Sequence, residues 1–202
     1  MIICCILNLK EINQNYQNEQ IDKSETEKKN PKRQFSKKDE NKKDEDDTVI
    51  LHMIGDGSER EYYESIVKEN AISDYVIFHG YLKGEELNDI YKIADIAIGT
   101  LGAYKIKTPV LSSLKMGEYL LRGIPAVAGY DEVITLKKKT DFVYKCGFDN
   151  SNVDIRDTIK WYNGLLNRFG QKEELGKAVR NYVYDIVDID KAYKPVLDYI
   201  LN

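Results

Sequence analysis

Short apolar runs separated by helical patterns most strongly constrain the fold of this chain. They lie at Val49–Ile54, Tyr75–His79, Ile96–Leu101 and Pro125–Gly129, with a weaker fifth run at Phe142–Tyr144. Apolar strands that do not alternate with polar residues are typical of a parallel sheet covered on both faces by crossover helices. The pattern therefore predicts an α/β domain with a Rossmann-like, doubly wound parallel sheet.

The helical patterns complete this prediction. We expect helices over residues 59–71, 85–94 and 113–122. Two longer C-terminal helices are expected over 154–167 and 171–201, with interruptions near Gly170 and Pro195. The predicted domain spans residues 48–202.

Four loops follow the predicted strands, and each range given below begins with a glycine. In open parallel sheets, ligands bind beyond the carboxyl ends of the strands. We therefore expect these loops to share one ligand-binding edge: Gly55–Ser58, Gly80–Lys83, Gly102–Ser113 and Gly129–Glu132.

Residues 1–47 differ from the rest. Positions 10–47 consist mainly of Lys, Glu, Asp, Asn and Gln, which cannot bury enough apolar surface to offset the entropy of ordering. We expect a charged, mostly disordered leader. The apolar run Met1–Leu9 is shorter than the roughly 20 residues of a membrane helix, and it predicts either a strand or a frayed terminus.

Charge and cysteine usage narrow the class of protein. Residues 1–47 carry 10 basic and 11 acidic side chains and the remainder 20 and 23, for a net charge of −4. Neither part is basic, so we expect no nucleic-acid partner. The three cysteines (Cys4, Cys5 and Cys146) have no metal-ligand spacing. This favours a reducing, cytoplasmic setting, with peripheral association with a membrane left open.

The predicted helix at 113–122 is the most informative segment. Its only charged residues, Lys115, Glu118 and Arg122, fall within a stripe of about 60°. Glu118 lies between two cations, so it should stay ionised and accept two hydrogen bonds from the adjacent hydroxyls of a ribose. Lys115 lies in the first turn, where its ammonium and free backbone amides could meet a phosphate. An ordinary surface ion-pair stripe is the equally open alternative.

Four motifs, in this order, resemble a known family. They are Ile54–Gly57 (IGDG), Phe78–Tyr81 (FHGY), Tyr91–Ile96 (YKIADI) and Lys115–Pro125 (KMGEYLLRGIP). Together they look like the C-terminal, donor-binding lobe of group 1 (family 4) retaining glycosyltransferases. That family has the two-lobed GT-B fold, of which this chain would form a single lobe.

The resemblance implies transfer of a hexose from a nucleotide-diphospho-sugar to the hydroxyl of a sugar or glycoconjugate acceptor, with retention of configuration. It implies no required metal or other cofactor. Glu118 matches the family's glutamate for the ribose, Ser113 and Leu114 fall where backbone amides meet the diphosphate, and Gly80 and Tyr81 fall near the base. The donor-binding residues expected are therefore Gly55, Gly80, Tyr81, Ser113, Leu114, Lys115 and Glu118. Catalytic residues are not assigned.

The sequence departs from the family pattern in two places. Val110 stands where the family has a glutamate that contacts the donor sugar, and the usual pair of phosphate-binding cations before Val49 is replaced by the charged leader. Lys105, Lys107 and Lys115 are candidate substitutes, the first two also being interpretable as solvated loop lysines. We expect the acceptor-binding lobe to be missing, so that the chain is incomplete alone. Two alternatives stay open: a separate acceptor-lobe chain completes it, or it is a decayed fragment.

Other assignments stay open. A non-catalytic nucleotide-binding or protein-interaction module on the same fold is the main alternative. A flavodoxin-like receiver domain is less compatible, since only Asp56 lies at the first strand's carboxyl end. His52 is expected to be a packed core residue, with His79 a candidate to line the cleft. Asp131 and Glu132 could touch a sugar hydroxyl, but a solvated loop is the preferred interpretation.

Overall fold

The computed structural model describes residues 2–9, 49–149 and 153–201. Most of the predicted leader lies outside these ranges, so the domain boundary at residue 48 stays a prediction. Its first part, however, is a strand: Ile2–Asn8 lies in the central sheet. Of the two interpretations of the Met1–Leu9 run, the strand is confirmed.

The described strands, in chain order, are β1 Ile2–Asn8, β2 Ile50–Gly55, β3 Val76–Gly80, β4 Ile96–Ile98, β5 Val110–Leu111, β6 Ala126–Ala128, β7 Asp131–Glu132 and β8 Val143–Lys145. The described helices are α1 Arg60–Glu69, α2 Gly84–Ile93, α3 Leu114–Leu121, α4 Val133–Lys137, α5 Ile155–Phe169, α6 Lys172–Val187 and α7 Ile189–Leu201. Short 3-10 segments lie at Ser73–Tyr75 and Gly102–Ile106.

Six strands form the main sheet in the order β3-β2-β1-β4-β6-β8. Strand β2 is parallel to β3, and β4, β6 and β8 are mutually parallel. The chain winds outward from the centre in both directions, as in a doubly wound sheet. The predicted α/β fold class, with its C-terminal helices, is confirmed.

The sheet is not parallel throughout. Strand β1 lies at its centre and runs antiparallel to both β2 and β4, with Leu7 opposite Leu51 and Ile96. Leu7 and Leu9 are buried, and the Leu9 N–H donates to the Asp95 carboxylate at 2.8 Å. The centre of the sheet thus includes residues far from the rest in sequence.

Helix α6 packs against the turn after α3 through two glycines. Gly123 has a φ of +81°, and a Cβ placed there would come within 2.6 Å of the Gly176 carbonyl oxygen and 2.5 Å of the Arg180 guanidinium. Only glycine fits this approach without a shift of backbone. The contact fixes α6 beneath the C-terminal end of α3.

The predicted interruption of the C-terminal helices near Gly170 is confirmed, but a second break lies at a different residue from the one expected. Helix α6 ends at Val187, and Asp188 is extended before α7 begins. Pro195 lies inside α7, so the predicted interruption there is wrong. Proline removes one backbone donor, but the flanking helix continues through it.

Candidate functional site

The carboxyl ends of β2, β3, β4, β6 and β8 lie along one edge of the sheet, which we call the carboxyl edge. The opposite side is the amino edge. The four predicted loops follow the ends of β2, β3, β4 and β6, so their placement on one edge is confirmed. This edge is where an open sheet of this kind holds a ligand.

Two of the predicted glycines have backbone conformations that need glycine. Gly55 and Gly80 end their strands with φ values of +115° and +70°. A Cβ at Gly80 would approach the Arg60 guanidinium to 3.3 Å. The next residue, Tyr81, is 66% exposed. Tyr81 thus presents an exposed aromatic ring at the end of β3.

Arg60 is a cation near this edge that the sequence analysis did not single out. It is the first residue of α1, directly after the Gly55–Ser58 loop. Its Nε lies 2.7 Å from the Glu64 carboxylate, and this hydrogen bond raises the pKa of the guanidinium. Its position at a helix start after a glycine turn is the sequence signal that could have revealed it.

Helix α3 has the two sides that its sequence predicted. Met116, Tyr119 and Leu120 are fully buried, whereas Glu118 is exposed and Lys115 is partly exposed. Ser113 precedes the helix in an extended conformation, and Leu114 is 94% exposed. The first turn of α3 is therefore exposed at Leu114, and it follows the short loop after β5.

The carboxylate of Glu118 turns along the helix rather than toward the carboxyl edge. Arg122, one turn later, holds it at 3.1 Å. Arg122 also donates to Asn88 Oδ1 at 2.9 Å, and its guanidinium lies 3.9 Å from the ring centre of Tyr91. The charged stripe thus reaches from the N-terminus of α3 toward the amino edge. The Glu118–Arg122 pair is exposed, so it is held weakly.

Glu132 is a buried member of the site, which the sequence analysis interpreted wrongly as part of a solvated loop. It is 1% exposed. Its carboxylate accepts a hydrogen bond from the Tyr130 hydroxyl at 3.0 Å, and the Ser113 N–H lies 3.3 Å from each of its oxygens. We call Ser113, Tyr130 and Glu132 the Glu132 cluster. It ties the loop after β6 to the start of α3.

Burial raises the pKa of the Glu132 carboxyl above its ordinary value, and hydrogen bonds from Tyr130, Ser113 and the amides of Ile134 and Val133 oppose the shift. Burial and the nearby Glu132 charge likewise raise the pKa of Tyr130. Perturbed carboxyls at a ligand-binding edge are candidates for functional groups. No residue spacing could have revealed this one, because its partner Ser113 lies 19 residues away.

A second, two-stranded sheet fixes the same loops. Strand β5 pairs in parallel with β7, so that Val110 lies opposite Asp131 and Leu111 opposite Glu132. Asp131, unlike its neighbour, is half exposed and pairs with Lys145 at 2.5 Å. The loop between β4 and α3 is therefore held at both of its ends.

The remaining candidates lie farther from α3. His52 is buried in β2 and stacks on His79, with Nδ1 of the first 2.8 Å from Nε2 of the second. The expected packing of His52 is confirmed, and His79 belongs to the same pair. Lys105 and Lys107 are exposed at the 3-10 segment after β4.

The amino edge has a cavity of about 360 Å³ that the sequence did not predict. Its lining includes Asp95, Arg122, Tyr162, Lys172 and Arg180. Asp95 is buried and accepts from the Tyr162 hydroxyl at 3.1 Å and from the Lys172 ammonium at 2.9 Å. The charges in this cavity are thus matched within the protein.

Two kinds of feature are absent from the described ranges. No helix in them is both long and apolar enough to cross a membrane. No group of three or more His, Cys, Asp or Glu side chains there could hold a metal ion, and the expectation that no metal is required stays a prediction.

Comparison with known proteins shows one family to which part of the chain is similar. The family model "Glycosyl transferases group 1" matches residues 24–102, and the predicted resemblance to that family is confirmed. The match begins inside the predicted leader, includes the first three of the four motifs and ends before α3. No curated protein compared with the chain matches it significantly.

Three solved structures are similar at low sequence identity. They are the GtfA/B complex (14% identity, 74% of this chain and 29% of that one, TM-score 0.49), the lipopolysaccharide outer core galactosyltransferase WaaB in its apo form (16%, 74% and 40%, 0.48) and the pneumococcal O-GlcNAc transferase GtfA with UDP and GlcNAc (14%, 75% and 29%, 0.48). This chain spans between 29% and 40% of their lengths.

Proposed function

We propose that this chain binds a nucleotide-diphospho-sugar at the carboxyl edge and presents its sugar for transfer to an acceptor hydroxyl. The family match supports glycosyl transfer as the chemistry. The observation that carries the donor site is the uncovered N-terminus of α3, at the edge where a sheet of this type holds its ligand. The proposal concerns the donor half of the reaction, and a separate lobe would hold the acceptor.

The diphosphate would bind at the first turn of α3. Free backbone N–H groups and the positive end of the helix dipole favour an anion at such a terminus. Leu114 supplies an amide and Lys115, in the same turn, supplies a cation, whereas a phosphate would share the Ser113 amide with the Glu132 carboxylate. These donors would stabilise the negative charge that develops on the departing nucleoside diphosphate, without a required metal.

The ribose would bind to Glu118. Its exposed carboxylate is held only by the ion pair with Arg122, and surface pairs of this kind contribute about 0–1 kcal/mol. A rotation of the side chain away from Arg122 therefore costs little compared with two charge-assisted hydrogen bonds to ribose hydroxyls. Gly80 and Tyr81 would flank the base, and Gly55 would leave space beside it.

Retention of configuration is part of the same proposal and follows from the family resemblance. The contact with the donor sugar is the weakest part of the site, since Val110 on β5 offers no polar group. The donor sugar would therefore rely on other residues of the carboxyl edge.

A thermal-shift screen with UDP, GDP and ADP and their sugar conjugates tests the proposal. At 100 times its dissociation constant, a ligand stabilises the folded state by about 2.7 kcal/mol, which for a chain of this size raises Tm by roughly 5–10 °C. We expect one nucleotide series to do so. Glu118→Ala should weaken that binding about a hundredfold, because two hydrogen bonds to a charged group are lost.

Glu174→Ala is the matched control. Glu174 is also an exposed helical carboxylate paired with a cation, Lys177, but it lies on α6. This variant should bind as the wild type does. Nucleotide binding that survives Glu118→Ala unchanged, or no binding by any nucleotide of the screen, would contradict the proposed donor site.

A further inference from the structure

The Glu132 carboxylate lies where a diphosphate would meet the protein. It is buried, and both of its oxygens lie 3.3 Å from the backbone nitrogen of Ser113, the residue that precedes α3. An anion at the N-terminus of α3 would therefore approach a group that is itself negative when ionised. This feature is independent of the family resemblance, which assigns no role to Glu132.

Neutral hydrogen-bond donors, rather than cations, bind this carboxylate. Its partners are the Tyr130 hydroxyl, the Ser113 N–H and the amides of Val133 and Ile134 at the start of α4. Among the described residues, no lysine or arginine lies within ion-pair distance of it. The exposed Asp131, by contrast, is neutralised by Lys145. Glu132 is thus a buried charge without a counter-ion, close to the proposed site.

We infer that Glu132 limits the strength of diphosphate binding at the N-terminus of α3, because its carboxylate already holds the Ser113 amide that a phosphate oxygen would otherwise take. The inference rests on the proposed function, since it concerns the same donor site. Two negative groups repel each other more strongly in a partly buried setting than in bulk water. The anion therefore binds more tightly when Glu132 is neutral.

The charge on Glu132 depends on pH in a defined direction. Burial raises its pKa, so the carboxyl takes up a proton at a higher pH than an exposed glutamic acid does. The groups facing it are Tyr130 from its own loop, Ser113 from the start of α3 and backbone amides of α4. None of these changes charge in the acidic range, so the effect belongs to Glu132.

Inorganic pyrophosphate is the probe, because it has no base or ribose. Its binding to the full chain is measured by isothermal titration calorimetry at pH 8 and at steps down to pH 5. Glu132→Gln keeps the shape and removes the charge, and we expect it to bind about tenfold more tightly than the wild type at pH 8. The ratio of the two affinities should fall toward one as pH falls, because the wild-type carboxyl then becomes neutral.

Asp131→Asn is the matched control, since it removes the neighbouring but exposed and paired carboxylate. It should bind pyrophosphate as the wild type does at every pH. Tyr130→Phe provides a second variant that keeps the charge. Without the hydroxyl donor, the pKa of Glu132 rises further, and the affinity should begin to increase at a higher pH than in the wild type.

The outcomes separate this inference from the proposed function. If nucleoside diphosphates bind in a Glu118-dependent manner but Glu132→Gln binds pyrophosphate no more tightly than the wild type, the inference is wrong and the donor site stands. A Tyr130→Phe affinity profile identical to that of the wild type also contradicts it. If no variant binds any nucleotide or pyrophosphate, both proposals fail.

Discussion

The two edges of the sheet contain similar residues and use them differently. At the amino edge, Lys172 donates to the Ile93 carbonyl and Arg180 to the Arg122 carbonyl, so these cations satisfy the C-terminal ends of α2 and α3. At the carboxyl edge, the N-terminus of α3 is uncovered and Leu114 and Tyr81 are exposed. At the amino edge, polar groups bind other parts of the protein and stabilise the fold, whereas at the carboxyl edge hydrogen-bond donors are left uncovered.

This difference shows why a cavity lined by cations is a poor guide to a ligand site. The cavity at the amino edge has the volume of a small-molecule pocket, but its charged groups already bind one another or helix carbonyls. The carboxyl edge is more open, and its backbone amides and exposed ring have fewer partners within the protein. Changes at the amino edge should therefore affect stability, and changes at the carboxyl edge should affect binding.

The largest effect is expected for Asp95→Ala at the amino edge. The substitution leaves the Leu9 N–H and the Tyr162 hydroxyl without this acceptor, and the Lys172 ammonium keeps only the Ile93 carbonyl. Removing one partner from such a buried network should lower the free energy of unfolding by about 3–4 kcal/mol. Urea denaturation measures this loss as a lower midpoint at constant slope.

Asp89→Ala serves as the control for that experiment. Asp89 also pairs with a lysine, Lys92, but both side chains are exposed. Its loss should cost less than about 0.5 kcal/mol. If Asp95→Ala lowers the free energy of unfolding by as little as Asp89→Ala does, the hydrogen bonds of Asp95 do not stabilise the amino edge.

Gly123→Ala should have the next largest effect. Its left-handed backbone and the 2.6 Å approach of a Cβ to the Gly176 carbonyl oxygen force α6 away from α3. We expect a loss of about 2–3 kcal/mol in a thermal or urea melt. Gly164→Ala, inside α5 with open space around it, should instead stabilise the protein by about 0.5–1 kcal/mol. Equal effects of the two substitutions would contradict the packing at Gly123.

Glu132→Gln should change how stability depends on pH. The pKa of Glu132 is higher in the folded than in the unfolded state, so the wild type loses stability as pH rises from the ordinary glutamate pKa through the raised one. The Gln variant lacks this loss. As pH rises from 4 to 8, the urea midpoint of the Gln variant should increase relative to that of the wild type. Parallel curves would mean that the pKa of Glu132 is not raised in the folded state.

The smallest stability effect is expected for Glu118→Ala, although this variant should lose nucleotide binding. Its ion pair with Arg122 is exposed, so the free energy of unfolding should change by no more than about 0.5 kcal/mol. A large loss of stability would instead mean that the charged stripe of α3 stabilises the fold, as the charged residues of the amino edge do.

The sequence was most informative where a local pattern determines the structure. Each predicted strand between Val49 and Tyr144 overlaps an observed one, because a buried strand is apolar along its length and a glycine often ends it. The buried side of α3 was equally predictable from the 3.6-residue period of its apolar residues, since Met116, Tyr119 and Leu120 share one face. These features depend on near neighbours in the sequence.

Features that depend on distant partners were not predictable. The composition of the apolar run Ile2–Asn8 carries no information about the direction of the strand. Its antiparallel orientation follows only from pairing with residues about 45 and 90 positions away. Glu132 looked like a loop residue because Ser113, which makes its burial tolerable, is remote in sequence. The break at Asp188 gives no stronger local signal than Pro195 does.

The reversed direction of β1 has a practical consequence for handling the protein. Ile2 lies opposite Gly55, at the carboxyl edge, whereas Asn8 lies opposite Ile50 at the other end of the same strand pair. An affinity tag joined ahead of Ile2 would therefore emerge beside the proposed nucleotide pocket and could obstruct it. Ligand screens should therefore use protein from which such a tag has been removed.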